Sequence, residues 1–439
     1  MKAIIATALL AFASQSVMAT NYYAAPDGTG DGTSYNSPCD IKKGISKLMP
    51  GDSLFLKGGQ YDLSEKLTIK KAGVSAEKRT FIGAVPGEKP ILDFRNQPHR
   101  ENGVSVGADY IHLKGIVVRY AGFKGILNTG SYNLLEMLET YGNCDTGLQN
   151  KGGVSNVILN CDSHDNFDYM TGTIDNADWG GNADGFADKQ HGASPGNTYI
   201  GCRAWRNSDD GWDFYQREGG PTTFINCICY ANAPKEYDLS DFPRLKTDAA
   251  FLDQFAGEGI TIITKKGMQV KCSLKHYYNN GNGNGFKIGG KNTKHNVRLY
   301  RCLAVANPVK GFDQNNNAGD IVIYNCSAYK NGRDYGFSNE NGFTLDIKNC
   351  VSLASEKKNS LKGNVKQGHN SWEKGYELTE ADFINLDESL ILAPRKADGS
   401  LPDNLFMMLA PNSKAVDAGL KVEGVEFNGK APDLGWQEK

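Results

Sequence analysis

Two landmarks recur along this chain with a period in the low twenties, and that period is the strongest constraint on its fold. The first is a glycine followed by a large apolar residue, at Gly125-Ile126, Gly147-Leu148, Gly185-Phe186, Gly211-Trp212, Gly285-Phe286, Gly311-Phe312 and Gly336-Phe337. The second is a cysteine in alike surroundings, at Cys161, Cys202, Cys227, Cys302, Cys326 and Cys350. Five of these are followed five places later by an asparagine: Asn166, Asn207, Asn232, Asn307 and Asn331. The glycines are 22 to 26 residues apart, except for 38 between Gly147 and Gly185 and 74 between Gly211 and Gly285. Each exception fits one coil carrying an inserted loop. The first loop includes TGTIDNADWGG (171–181), and the second runs through roughly residues 235–280.

Runs such as VILNC, TTFINC, VRLYRC and IVIYNC alternate like short strands and end in Asn/Gly clusters. Short strands and turns at this period predict an all-β chain, a parallel β-helix, with coils stacked about 4.8 Å apart. The recurring asparagines then form a ladder at a turn, where Asn tolerates the left-handed conformation. The cysteines form a column of small buried side chains, expected as thiols rather than bridges. Cys39 and Cys272 stand outside this column, and their state is left open. An open stack needs covered ends. The segment DIKKGISKLMPGD (40–52) has helical periodicity and is expected to cap the first coil. The segment from about residue 370 has no ladder and is expected to pack back along the helix. Residues 20–439 therefore read as a single domain.

The first nineteen residues, one lysine followed by an apolar run and Val17-Met18-Ala19, read as a secretory signal peptide cut near Ala19. The mature protein is then expected in the periplasm or the medium, with no membrane span. Across 439 residues the net charge is only −2 and no Lys/Arg stripe stands out, which argues against a nucleic-acid partner. A monomer is expected.

Against this weak overall charge, NSDDGWDFYQ (207–216) crowds Asp209, Asp210 and Asp213 around one glycine. Aligning the coils on that glycine puts Asp184, Asp210, Asn284 and Lys310 one place before it. Two places after it come Ala187, Asp213, Lys287 and Asp313. Asp184 and Asp210 then stack on adjacent coils, close enough to share a calcium ion, with Asp209 and Asp213 beside them. Carboxylates without His or Cys favour a hard cation over zinc. Lys287 falls one coil beyond Asp213, where a neighbouring cation would lower its pKa from about 10.4 toward a useful base. Blander readings stay open: the aspartates can be turn residues, and Lys287 the middle of an Asp213–Lys287–Asp313 salt ladder. Trp212, Phe286 and Phe312 read as core. His164 and His191 read as surface or structural, and Asp313 has no assigned role.

The motifs NADGF (182–186), NSDDGWD (207–213), NGNGFKIGG (282–290) and KGFDQNNNAG (310–319) resemble those of polysaccharide lyase family 9. So do GDSLFLKGGQYD near the start and APDLGWQ at the end, so the resemblance spans nearly the whole mature chain. It implies a right-handed parallel β-helix that cleaves polygalacturonate by calcium-assisted β-elimination with a lysine base. Matched motif by motif, it implies Asp184, Asp209, Asp210 and Asp213 as Ca2+ ligands and Lys287 as the base. The implied partner is an acidic, galacturonate-containing pectin, and Lys189, Arg217 and Lys310 are candidates to grip neighbouring uronates. Two departures from the family pattern are the long 235–280 loop and Asp188, expected to add a carboxylate beside the site. They bring in rhamnogalacturonan I as an alternative substrate. A β-helix glycoside hydrolase using Asp209 and Asp210, or a non-catalytic glycan-binding protein, would need neither Lys287 nor calcium.

Overall fold

A computed structural model describes residues 19–189, 194–338, 342–403 and 406–439. The leader up to Met18 and His191 lie outside the described residues. Each coil contributes one strand to each of three parallel sheets. The first sheet has 12 strands and runs from Asn21–Ala24 to Asn364–Gly368; the second and third have 10 each. The second runs from Leu67–Ile69 to Ser360–Leu361, and the third from Gly59–Asp62 to Val351–Leu353. This is the expected all-β parallel helix.

Inward positions repeat coil after coil because strand side chains alternate faces. Leu54, Ile82, Leu113, Leu135, Ile158, Tyr199, Phe224, Leu299, Ile323 and Ile347 hold one register position of the first sheet, all buried. On the second sheet Phe186, Trp212, Phe286, Phe312 and Tyr335 form a continuous stack, with centroids 4.7 to 5.0 Å apart and planes within 16°. Each such ring contributes roughly 1.5–3 kcal/mol by burial, and stacking adds about 0.5–1.5 kcal/mol per pair. Glycine precedes this column because the coil closes tightly there. A Cβ on Gly185 would lie 2.7 Å from the Ala204 Cβ and 2.8 Å from the Asn207 Nδ2.

The asparagine ladder is present: Asn143, Asn166, Asn207, Asn232 and Asn307 each donate from Nδ2 to the Oδ1 of the next, ending on Asn331, at 2.8 to 3.1 Å. Its backbone differs from expectation. The left-handed residue is the one before each rung, namely Asp165, Arg206, Ala231, Ala306 and Lys330, with φ between 48° and 54°. The asparagine itself is needed for its side chain, which satisfies buried amides between coils. All ten cysteines are free and buried, so the column is one of thiols, as expected.

The final glycine landmark is out of step. Phe312 pairs with Tyr335 and Asp313 with Gly336, so Tyr335 rather than Phe337 continues the aromatic stack. The coil ending at Gly336 is offset by two residues from the glycine alignment.

The cap is a short helix, Ile41–Lys47, whose N-cap Asp40 accepts from the Lys42 and Lys43 amides. Ile41, Leu48 and Leu54 join it to the main core. Beyond residue 370, Phe383, Ile391, Phe406, Leu409 and Trp436 pack with Ile228, Leu303, Tyr329 and Val351 of the third sheet. The two inserted loops meet in one satellite core, where Tyr169 and Trp179 of the first pack with Tyr237, Leu252, Phe255 and Tyr277 of the second. Arg244 anchors this unit, buried and donating to the carbonyls of Phe94, Gln97 and Tyr120.

Candidate active site

The strands Phe186–Asp188, Trp212–Asp213, Asn284–Lys287 and Lys310–Asp313 lie side by side in the second sheet. Phe186 pairs with Trp212, Trp212 with Phe286, and Phe286 with Phe312. This register stacks Asp184, Asp210, Asn284 and Lys310 at one position, and Asp213, Lys287 and Asp313 at another, as the sequence spacing implies.

Asp184, Asp209 and Asp210 each bring a carboxylate oxygen within 4.8 Å of the others, and all three are buried. Backbone and amide donors hold them. The Asn284 N–H and Nδ2 both reach Asp210 Oδ1 at 2.8 Å, and the Asn282 N–H reaches Asp209 at 2.5 Å. Asp213 turns instead to the lysines, with Lys189 Nζ at 2.6 Å and Lys287 Nζ at 3.5 Å. Lys189 also touches Asp184 at 3.3 Å, and Lys287 donates to Asp210 at 2.8 Å.

Four carboxylates and two ammonium groups leave the cluster two negative charges in excess. The strain shows in the titration of its members. Burial pushes the Asp184 carboxyl up to about 8, opposed by Lys189 and reinforced by Asp213 and Asp210. Burial and Asp210 raise Asp209 well above the carboxylate range. Asp213 is lowered, because Lys189 and Lys287 outweigh its burial. For Lys287, burial disfavours the ammonium, yet Asp210, Asp213, Asp209 and Asp184 together push it well above the usual lysine value. Among these protein groups alone, the net effect on Lys287 is the opposite of the depression expected beside a bound cation. A hard divalent cation fits these residues: its donors are all oxygens, and its charge equals the excess.

Two expected residues lie elsewhere. Arg217 is fully buried and pairs with Asp188 at 3.1 Å, so it cannot grip a sugar from this position. Asp188 sits two places after Phe186 and so shares its inward face, accepting from Asn197 Nδ2 at 2.8 Å. It adds no carboxylate to the cluster. Lys310 lies on the same sheet, partly exposed and paired with Asp313 at 2.7 Å. Asp168 was missed by the sequence reading. Itself buried, it accepts from Asn182 Nδ2 and Ser208 Oγ and so steadies the two segments that carry Asp184 and Asp209. Its own motif, NFDYM, carries no signal of this role.

Comparison with known proteins agrees with this fold. The profile described as Pel9A-like, right handed beta helix region, matches residues 22–242 and 252–364. Pectate lyase L of Dickeya dadantii (strain 3937) is 33% identical over 435 residues, covering 95% of this chain and 90% of that protein. Pectate lyase L of Paenibacillus polymyxa (strain SC2) is 31% identical, covering 93% and 86%. The crystal structure of pectate lyase Pel9A superposes with a TM-score of 0.80 at 32% identity, over 96% of both chains. A rhamnogalacturonan lyase structure shares the fold, with a TM-score of 0.69 at 22% identity over 89% of this chain and 97% of its own. These matches also bear out the right-handed coil. The chain thus belongs to the Pel9A-like right-handed β-helix family, polysaccharide lyase family 9, and is a polysaccharide lyase.

Proposed function

We propose that this enzyme cleaves the bond at C4 of galacturonate residues in polygalacturonate by calcium-dependent β-elimination, with Lys287 as the base. The observation that carries this reading is the position of Lys287, in the same register column as Asp213 and one hydrogen bond from Asp210. A hydrolase would have no use for a lysine there. Asp184, Asp209 and Asp210 would hold the ion, with Asp213 completing the set. A calcium ion held there would supply charge withdrawal from a uronate carboxylate, acidifying the neighbouring C5 proton.

With those carboxylates neutralised by a bound cation, the field that keeps Lys287 protonated would fall, and its burial would favour the free amine. Lys287 takes the C5 proton onto Nζ, the C4–O bond breaks with its electron pair leaving on oxygen, and a C4–C5 double bond remains. The departing oxygen takes a proton from water. Lys189 stays charged on Asp213 and Asp184 and fixes the cluster's outer edge.

The matched relatives are named pectate lyases, which supports pectate as substrate. Rhamnogalacturonan I is kept as a second reading because the 235–280 insert borders the cluster, its Asn279 Nδ2 reaching the Ser208 carbonyl at 3.0 Å. We further propose that residues 20–439 act as one monomeric catalytic unit, exported by the leader to the periplasm or medium. Among the described residues no helix is long and apolar enough to cross a membrane.

Ultraviolet absorbance of the unsaturated product tests the reaction. Wild type should produce a rising signal on polygalacturonate that a chelator abolishes, and Lys287→Ala should lower kcat by about 10²–10⁴-fold. A signal confined to rhamnogalacturonan I would transfer the assignment to that polymer. Chain cleavage without absorbance would sink β-elimination.

A further inference from the structure

The register column that holds Asp184, Asp210 and Asn284 continues past the cluster. Asn284 pairs with Lys310. Counting back from the Phe312–Tyr335 pair, the next residue in the column is Arg333, whose carbonyl accepts from the Gly311 N–H at 2.8 Å. Arg333 in turn forms a parallel bridge with Lys357. Six consecutive coils thus carry Asp, Asp, Asn, Lys, Arg and Lys at one position of one sheet. Two coils bear carboxylates of the cluster, the third bears the amide that holds one of them, and the next three bear one cation each.

These cations are presented to solvent. The Lys310 side chain is 30% exposed and lies across Gly336, where any Cβ would sit 2.5 Å from its Cδ. Arg333 is half-buried and Lys357 exposed. Among the described residues neither has a carboxylate partner. Toward the N-terminus the same column is different. It carries Thr146 and then Lys124, paired with Asp145 at 2.6 Å much as Lys310 is with Asp313, but only 13% exposed against 30%. Solvent-facing cations in the column therefore lie on the C-terminal side of the cluster alone.

We infer that Lys310, Arg333 and Lys357 form a cationic track that grips successive carboxylates of a polyuronate running along the coil axis. The inference rests on the proposed action on a galacturonate polymer and adds the direction in which that polymer lies. The spacing supports it. Coils repeat at about 4.8 Å, comparable to the length of one sugar unit, so an extended chain along the axis offers one carboxylate per coil. Arg333 supplies a fork that a carboxylate fills with two hydrogen bonds, and Lys357 a point charge beyond it. A neutral polysaccharide would gain nothing from this arrangement.

The double variant Arg333→Gln/Lys357→Gln tests the track, with Lys430→Gln as a single-charge control on the C-terminal segment. Binding to polygalacturonate is measured by isothermal titration beside steady-state turnover, each at two salt concentrations. The double variant should bind about ten-fold more weakly and lose salt sensitivity, with the loss on KM rather than kcat, while Lys430→Gln behaves as wild type. Unchanged affinity and salt response in the double variant would overturn the track while leaving the lyase reading intact. If wild type binds polygalacturonate without elimination, the proposed reaction fails. The ten-fold binding difference still decides the track. A loss no greater per charge removed than that of Lys430→Gln reduces the effect to overall charge and also overturns it.

Discussion

His164 is stacked between Tyr141, at 5.0 Å, and Trp205, at 4.1 Å, on the outer face of the third sheet. Its Nδ1 meets Asp165 at 2.8 Å and its Nε2 faces Glu139 at 3.5 Å, while Lys89 and Arg206 pair with those same carboxylates. Burial opposes the imidazolium, but the bonds to Asp165 and Glu139 prevail and raise its pKa. A raised histidine stabilises the fold fully below its unfolded value, about 6.5, and loses that contribution as pH rises through the folded value. The stability margin of wild type over His164→Gln, read from urea midpoints, should therefore be largest near pH 5 and shrink toward pH 8. A margin that grows with pH would refute the ion-pair account. The structural role expected of this histidine in the sequence is the one it has. Single-residue reading also brought Asp184, Asp210 and Lys287 to neighbouring positions, since one glycine register places all three. It failed for Asp188, whose inward orientation depends on strand parity beyond the motif, and for Arg217, which follows the turn after Trp212–Asp213 and is buried against Asp188. Arg333 and Lys357 escaped for a different reason. Aligning the last coil on Gly336 displaces them by two places, and only the Phe312–Tyr335 pairing restores the column.

Elements are held together here less by strand length than by what links one coil to the next. Asn207 accepts at Oδ1 from the Asn166 N–H and Nδ2, and its own Nδ2 donates to Ser163 and Asn232. Asn207→Ala would strand buried donors on one coil and an acceptor on another. It should destabilise the fold by about 2–4 kcal/mol in urea denaturation, since each buried group left unpaired costs about 1–3 kcal/mol. A loss below about 1 kcal/mol would mean that the ladder is incidental to stability. The existence of the ladder was legible from the Cys–Asn spacing. Its backbone was not, because the left-handed position is filled by Asp165, Arg206, Ala231, Ala306 and Lys330, which share no chemistry. The union of the two loops was equally hidden, since Trp179 and Phe255 are far apart in sequence and neither loop has a repeat to align.

At the scale of the whole molecule, ten thiols are buried without a single bridge. Stability then owes nothing to cross-links and rests on stacked apolar columns. A thiol reagent should label essentially none of the ten in the native protein and all of them after unfolding, and added reductant should leave Tm unchanged. A Tm that falls with reductant would show that neighbouring rungs have joined. Both long loops leave the coil at the same corner, between the third sheet and the second. The chain nevertheless re-enters the second sheet in register after each, Leu148 pairing with Phe186 and Trp212 with Phe286. Extra residues at this corner leave the frame of the column unchanged. The border of the reacting pocket can thus be lengthened, trimmed or exchanged over generations while the aspartates and the lysine keep their places, so that new substrate preferences need no new chemistry.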